Sequence, residues 1–458
     1  MRYVNTPPPK QIRPPLPRGP FLVVGLARSG IAAARLLAGR GEEVTGVDSG
    51  SPDAAAGLRG SGVEVFLDSD GLALLDGVRT VVKSPGVPRE APVIAEALER
   101  GIEVMGELEL AWRALPNRFL AVTGTNGKTT VVEMLGHVYR TAGEPVAVAG
   151  NVGTPLSTLP GALDPDATVV CECSSFQLED TLEFAPECGV FLNLAPDHLD
   201  RYEGLPEYLA AKLRIFANQG NDDVAVYNAD DPELAGTDLG GCARRVSFCV
   251  GDAPDCEVAL AEGTIFYDGE PLLRVEELGV VGEHNVANAM AAAAAALTMG
   301  LGREAVREGL RGFAGVPHRL EPVAELGGVR FVNDSKATNV ASAIVGIRAF
   351  AGGVHAILGG SEKGEPYEPL LDPVRERCRA VYLTGASAER LAEALAPAIA
   401  AGVALHRCED LGDAVRRAAA AAAPGETVLL SPACASFDAF ENFERRGERF
   451  REIVGELS

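Results

Sequence analysis

The seven residues Gly124, Thr125, Asn126, Gly127, Lys128, Thr129 and Thr130 can cradle a phosphate. Glycines let backbone N–H groups close around phosphate oxygens, and a helix that starts there adds favourable partial charge. Lys128 is placed to reach the β- and γ-phosphates of a nucleotide, and the Thr129 hydroxyl to ligate Mg2+. The loop departs from the usual spacing of this motif. The first glycine of that pattern would fall at Val122, and Gly124 stands close before Gly127. The context supports a nucleotide loop, because an apolar strand pattern (118–123) enters it and a helical pattern leaves it. A chance Gly-Lys-Thr turn is the alternative.

Further groups fit a Mg·ATP site. Glu172 closes the β-rich run 167–171 and precedes Ser174, Ser175, Phe176 and Gln177. A carboxylate at a strand end beside a phosphate loop is a natural Mg2+ ligand. His198 lies in the loop 193–202 after the predicted strand 189–192. Lys212 sits in a helical run (208–216), and on sequence grounds alone a lone helix lysine is a solvated surface residue. Asn285 and Asn288 open an Ala-rich helix. Three apart, they share a face, which suits either an adenine edge or an N-cap plus a polar core residue.

Toward the C-terminus, Asn333, Asp334, Ser335, Lys336, Ala337, Thr338 and Asn339 follow a predicted strand (329–332) directly. The loops 359–364 and 431–437 also follow predicted strands. Three such loops on one sheet edge outline a cleft. Near the N-terminus, strand 21–24, a Gly turn (Gly25 to Gly30), helix 31–38 and strand 43–47 ending at Asp48 form a nucleotide-binding half. Ala27 stands where the second fingerprint glycine belongs, so NAD or FAD is poorly supported. A plain turn and a site for another nucleotide stay open. Strand 80–83 runs into Ser84-Pro85-Gly86-Val87-Pro88, a forced turn at a strand end.

The elements that must position these groups alternate, apolar run and helical pattern, for most of the chain. Its 458 residues suggest about three domains. Lys plus Arg total 41 against 64 Asp plus Glu, a net charge of −23, which argues against a general nucleic-acid binder. Anionic small substrates need only a few local cations. No apolar run approaches the ~20 residues of a membrane span, and no signal peptide is expected. The nine cysteines are expected as buried, reduced thiols, with Cys171 and Cys173 on one strand but facing opposite ways. The Pro-rich lead-in 1–20 is expected to be extended or disordered.

With these residues in place, the chain resembles the Mur ligases of peptidoglycan synthesis from about Phe21 to the C-terminus, most closely the branch that adds D-glutamate. The short loop Gly-Thr-Asn-Gly-Lys-Thr-Thr is the family's form of the phosphate loop. His-Asn-x-x-Asn is shared across the family. The stretch 334–339 and the tail 431–450 are specific to that branch.

The resemblance implies an α/β fold of three domains after the lead-in: a Rossmann-like UDP-binding domain (21–106), a P-loop ATPase domain (107–315) and a Rossmann-like amino-acid domain (316–458). It implies a cytoplasmic, monomeric enzyme using ATP, Mg2+, UDP-N-acetylmuramoyl-L-alanine and D-glutamate, with no nucleic-acid partner. The acceptor carboxylate would become an acyl phosphate, and the glutamate amine would displace phosphate. Lys128, His198 and Lys212 would be catalytic, with Lys212 carrying a carbamate. Thr129, Glu172, His198 and Lys212 would serve Mg2+. Asn285 and Asn288 would meet adenine, and Arg319 and Asp334 the phosphates and ribose. Leu26, Ala27, Asp48, Ser49 and Ser84 match the UDP pocket. Asn151, Ser174, Gln177 and His198 lie toward the muramyl-alanine end. Thr338, Lys363, Ser436 and Phe443 match the glutamate positions. A closing motion about 315–317 is expected. The rivals are a folylpolyglutamate synthase and a nucleotide-binding module without ligase activity.

Overall fold

Short β-branched and apolar runs build three sheets, because a strand buried on both faces by helices needs no polar alternation. The computed structural model describes residues 6–197, 201–251, 256–280, 282–362 and 365–457. The chain divides after Phe313 into two compact units.

The first unit holds two sheets. One is parallel, with strands β1 (Phe21–Val24), β2 (Val44–Val47), β3 (Glu64–Phe66), β4 (Thr80–Lys83) and β5 (Glu103–Gly106) in the order β3-β2-β1-β4-β5. The order reverses between β1 and β4, so the Gly25 turn and the Ser84 turn flank the crevice at this switch point. The other sheet contains β6 (Phe119–Thr123), β7 (Val146–Gly150), β8 (Thr168–Glu172), β9 (Cys188–Phe191), β10 (Val224–Asn228), β11 (Arg244–Cys249), β12 (Val258–Ala261), β13 (Thr264–Tyr267) and β14 (Glu270–Arg274). Its order is β14-β13-β12-β11-β10-β9-β6-β8-β7, parallel except for the antiparallel edge β12-β13-β14. β6 lies between β8 and β9, which places the phosphate loop beside the ends of both.

The second unit carries β15 (Glu321–Leu326), β16 (Val329–Asn333), β17 (Val354–Gly359), β18 (Cys378–Thr384), β19 (Ala404–Arg407) and β20 (Thr427–Leu430). The order is β15-β16-β20-β17-β18-β19, with only β15 antiparallel. β16, β20 and β17 are adjacent and parallel, so the loops that leave them emerge side by side.

Three expectations change. The lead-in is extended from Thr6 to Arg18, but it is tied down rather than disordered. Arg13 donates to the carbonyls of Leu115 and Asn117 and to the buried Glu187 carboxylate, with its guanidinium 4.7 Å from the Trp112 ring centroid. Arg118 donates to the Pro8 carbonyl, and Thr80 to that of Arg18, so the strap runs from one sheet to the other. Cys171 and Cys173 share a face, with sulfurs 3.5 Å apart, because strand side chains alternate with a period of two. Cys249 and Cys256 form a disulfide, and Cys242 is exposed, so the thiols are not uniformly buried and reduced.

Candidate active site

Gly127 opens the helix Lys128–Thr141 in a left-handed conformation (φ +83°). A Cβ there would lie 2.4 Å from Asn288 Oδ1, so only glycine lets the helix Glu283–Thr298 close on the loop. The other side of the loop is fastened by the segment after β9. Thr125 N donates to Asn193 O (2.9 Å), Asn126 N to Asn193 Oδ1 (2.8 Å), and Ala195 N to Thr125 Oγ1 (3.0 Å).

Thr129 Oγ1 donates to Glu172 Oε2 (2.8 Å), and Asn151 Nδ2 donates to Glu172 Oε1 (3.0 Å). Glu172 is 2 % exposed. Asn151 reaches it because Gly150 takes φ +118°, where a Cβ would strike the Glu172 carbonyl at 2.3 Å. A hydroxyl and a carboxylate, both hard oxygen donors, thus meet at the mouth of the phosphate loop. That donor set fits Mg2+.

Lys212 is 1 % exposed, on the helix Leu205–Ala217. Its ammonium donates to Gly124 O (2.8 Å) and lies 4.5 Å from the Tyr208 ring centroid. Lys128 donates to the same carbonyl (2.9 Å) and to Thr125 O (2.8 Å). Burial, then the neighbouring Lys128 charge, lowers the Lys212 pKa to about 7. The solvated reading of this lysine is therefore overturned.

At the N-terminal crevice, Asp48 accepts from the N–H groups of Leu26 (2.6 Å) and Gly50 (2.9 Å). Ser84 Oγ donates to Gly25 O (2.8 Å), linking the two turns. Ala27 and Ser49 are exposed beside them. Ser174 and Gln177 cap the short helix Ser175–Leu178 reciprocally: Gln177 N donates to Ser174 Oγ, and Ser174 N to Gln177 Oε1.

In the second unit, Arg319 is exposed between His318 (φ +61°) and Leu320 (φ +44°). Left-handed conformations at non-glycine residues are strained and are held by specific bonds. His318 N donates to Glu321 Oε2 (2.8 Å), and Leu320 N to Asp334 Oδ1 (3.1 Å). Asp334 also accepts from Ser431 Oγ (2.7 Å), and burial raises its pKa to about 6. Ser361 N donates to Ala435 O (2.9 Å), which joins the loops after β17 and β20. Ser436 is buried, while Thr338 and Phe443 are half-buried.

Three stretches of the chain match family profiles: 20–106 the Mur ligase MurD-like N-terminal domain, 122–296 the Mur ligase middle domain, and 318–434 the Mur ligase glutamate ligase domain. The UDP-N-acetylmuramoylalanine–D-glutamate ligase of Acidobacterium capsulatum is 42 % identical over 446 residues, covering 94 % of this chain and 95 % of that protein. The chain belongs to the Mur ligase family. The ligase of the same name from Solibacter usitatus is 41 % identical over 436 residues, covering 95 % of this chain and 97 % of that one. Among solved structures, the UDP-N-acetylmuramate–alanine ligase MurC of Thermotoga maritima has a TM-score of 0.58 at 20 % identity, covering 96 % of this chain and 99 % of its own. MurF of Acinetobacter baumannii has a TM-score of 0.58 at 17 % identity, covering 90 % of each chain. These two share the three-domain α/β fold.

Mur ligases use ATP and Mg2+. Within this Mur ligase, the structure gathers Gly124, Lys128, Thr129, Asn151, Glu172, Lys212 and Asn288 at one place. Asn288 Nδ2 donates to Asn285 Oδ1 (3.2 Å), so these two do share a face, and Gly282 rather than Asn285 is the N-cap. His198 and Lys363 lie outside the described residues. Sequence reasoning missed Asn193, whose loop was read only for its histidine, and Tyr208, read only as the start of a helix. It also missed the buried pair Lys83–Asp180 (2.6 Å), which joins the end of β4 to the central domain. Lone polar residues of ordinary type gave no signal for these.

Proposed function

We propose that this chain joins D-glutamate to UDP-N-acetylmuramoyl-L-alanine, with ATP converted to ADP and phosphate, acting as a monomer in the cytoplasm. The amide bond would extend a peptidoglycan precursor and so serve cell-wall biogenesis, cell shape and division. The observation that carries the reading is the cluster around Gly124, where two lysines, a hydroxyl and a buried carboxylate surround one phosphate loop. The names of relatives about 42 % identical over nearly the whole chain supply the substrates.

A carboxylate resists attack by an amine until one of its oxygens becomes a leaving group. Transfer of the γ-phosphate to that carboxylate makes an acyl phosphate. The amine then adds to its carbonyl, and the tetrahedral intermediate expels phosphate. Moving a phosphoryl group between two anions needs positioning and charge neutralisation more than covalent catalysis. The N–H groups of Gly127 to Thr130 would hold the phosphates, those of Thr125 and Asn126 being taken by Asn193, and Lys128 would swing its ammonium from the Gly124 carbonyl to the β/γ oxygens. Mg2+, held by Thr129 and Glu172 with a second ion near His198, would supply further neutralisation. Lys212, with its pKa near 7, reaches the neutral form that adds to CO2 and releases one proton. The carbamate so formed is an anion that can help hold Mg2+ and its waters.

Asn285 and Asn288 would receive adenine, Arg319 and Asp334 the phosphates and ribose. Leu26, Ala27, Asp48, Ser49 and Ser84 would bind UDP. Asn151, Ser174, Gln177 and His198 would flank the muramyl-alanine arm, and Thr338, Lys363, Ser436 and Phe443 would hold glutamate.

The test is a panel of amino acids, both enantiomers of glutamate included, incubated with ATP and UDP-N-acetylmuramoyl-L-alanine. Products are read by mass spectrometry. A product heavier by one glutamyl residue with D-glutamate alone supports the reading. Preference for another amino acid, or extension of a glutamylated pterin instead, overturns it.

A further inference from the structure

The last helix, Phe443–Glu456, buries one arginine. Arg446 is 3 % exposed, and all five of its N–H groups are engaged. Nε donates to Ser335 Oγ (3.0 Å). Nη2 donates to Ser335 O (2.9 Å) and Cys434 O (3.1 Å), and Nη1 to Cys434 O (3.1 Å) and Ala435 O (3.1 Å). Ser335 Oγ in turn donates to Phe443 O (2.8 Å). One side chain therefore fastens the loop after β16, the loop after β20 and the first turn of the last helix.

These are the segments that carry Thr338, Ser436 and Phe443. Ser436 follows Ala435 directly, Thr338 is one turn beyond Ser335, and Phe443 is the residue whose carbonyl Ser335 holds. The five bonds end on four acceptors, Cys434 O taking two, and none of the four is a carboxylate. Among the acidic groups around it, the exposed Asp438 and the Cys434 thiol act on the guanidinium only electrostatically. Burial lowers its pKa to about 10, so it stays protonated at neutral pH. Burying a cation without a carboxylate partner opposes folding, and neutral groups could tie three segments without that cost. The charge therefore has a second use available: it places positive potential behind loops that would receive an anion.

We propose that Arg446 is the positioning residue of an acidic-amino-acid pocket: its fork sets the arrangement of Thr338, Ser436 and Phe443, and its charge draws in a dicarboxylate. The proposal rests on the glutamate-ligase reading above. Arg446 has no N–H left for the substrate, so it acts through the loops and through its field. A lysine in its place keeps the charge but cannot span the four acceptors, and a glutamine loses both.

The experiment is steady-state kinetics of R446K, R446Q and S335A, each of the three substrates varied in turn, with thermal unfolding measured alongside. KM for D-glutamate should rise at least tenfold in R446K and further in R446Q, while KM for ATP and for the UDP substrate stays within twofold. S335A removes one acceptor and the link to Phe443 but keeps the cation, and should raise the same KM a few-fold. A purely structural arginine would lower the unfolding midpoint and the amount of active enzyme without this split. Folded variants with an unchanged KM for D-glutamate overturn the proposal. If both Arg446 variants fail to fold, an unchanged KM in S335A does so. A wild type that never ligates D-glutamate overturns the functional reading and this one with it; a wild type that does, with unmoved variants, overturns this one alone.

Discussion

At Gly124 two lysine ammonium groups share a single carbonyl oxygen, whereas at Ser335 a single guanidinium spreads five hydrogen bonds over four acceptors. Both places bury cations, but the arrangements differ in what they leave free to change. Ammonium groups on long stems can be redirected when a phosphate arrives, and burial, with a like charge beside it, brings Lys212 within reach of deprotonation. A forked cation with every donor satisfied cannot move without releasing two loops and the first turn of the last helix. In the proposed function the first unit would keep its charge mobile, for chemistry on phosphate, and the second would keep its charge fixed, to hold a binding surface in shape.

The comparison breaks most plainly at Lys128. Lys128→Ala should lower kcat about a thousandfold, or ~4 kcal/mol in the barrier, because a cation aimed at developing phosphoryl charge is lost. A variant that keeps more than about a tenth of wild-type kcat would show that the loop charge is not used this way.

Lys212→Ala should follow, with kcat lowered roughly a hundredfold, ~3 kcal/mol. A short carboxylic acid in the buffer should restore part of the rate by putting an anion back into the void. The chemistry also has a pH sign. Carbamate needs the neutral amine, and the pKa near 7 makes that form scarce as pH falls below 7. Carbamate formation, followed by labelled CO2 uptake, should therefore weaken from pH 8 to pH 6. Unchanged activity in the variant would end the carbamate reading.

A third expectation concerns the strap that joins the two sheets. Arg13→Ala leaves the Glu187 carboxylate buried without its ion partner, and should destabilise the first unit by about 3 kcal/mol. Urea unfolding followed at Trp112 reads this directly, since Arg13 lies over that ring. A shift under ~0.5 kcal/mol would show that the strap only decorates the surface.

The smallest effect belongs to Asp334. Its folded pKa, about 6, lies above the ordinary aspartate value near 4, so the folded state holds the extra proton between those values. The contribution is full below about pH 4, is lost as pH rises through 6, and is at most roughly 3 kcal/mol. Asp334→Asn should flatten this part of the stability profile of the second unit. An equally steep profile in the variant would place the titration elsewhere.

Much of this was legible in the sequence, and the reason is local. β1, β4 and β20 were read at their observed limits, because buried parallel strands are short unbroken apolar runs. Gly124 to Thr130 was legible because a phosphate loop needs glycine, lysine and threonine at fixed offsets. What was lost depends on distant partners. Nothing in the helical pattern around Lys212 distinguishes a buried amine from a surface one; the difference is made by Gly124, 88 residues away. Arg446 sits among other charged residues of an amphipathic helix, and only the carbonyls of Cys434 and Ser335 mark it. The prolines of the lead-in suggested a loose tail, because the Glu187 that anchors it lies 174 residues further on.

The mobile charge at Gly124 should transfer phosphate only in the service of amide formation. The most direct measurement is phosphate release by the purified full chain with ATP and Mg2+, with UDP-N-acetylmuramoyl-L-alanine and D-glutamate omitted singly and together. Sustained release, one phosphate per amide formed, is expected only when both are present. Steady ATP hydrolysis indifferent to both omissions would contradict it.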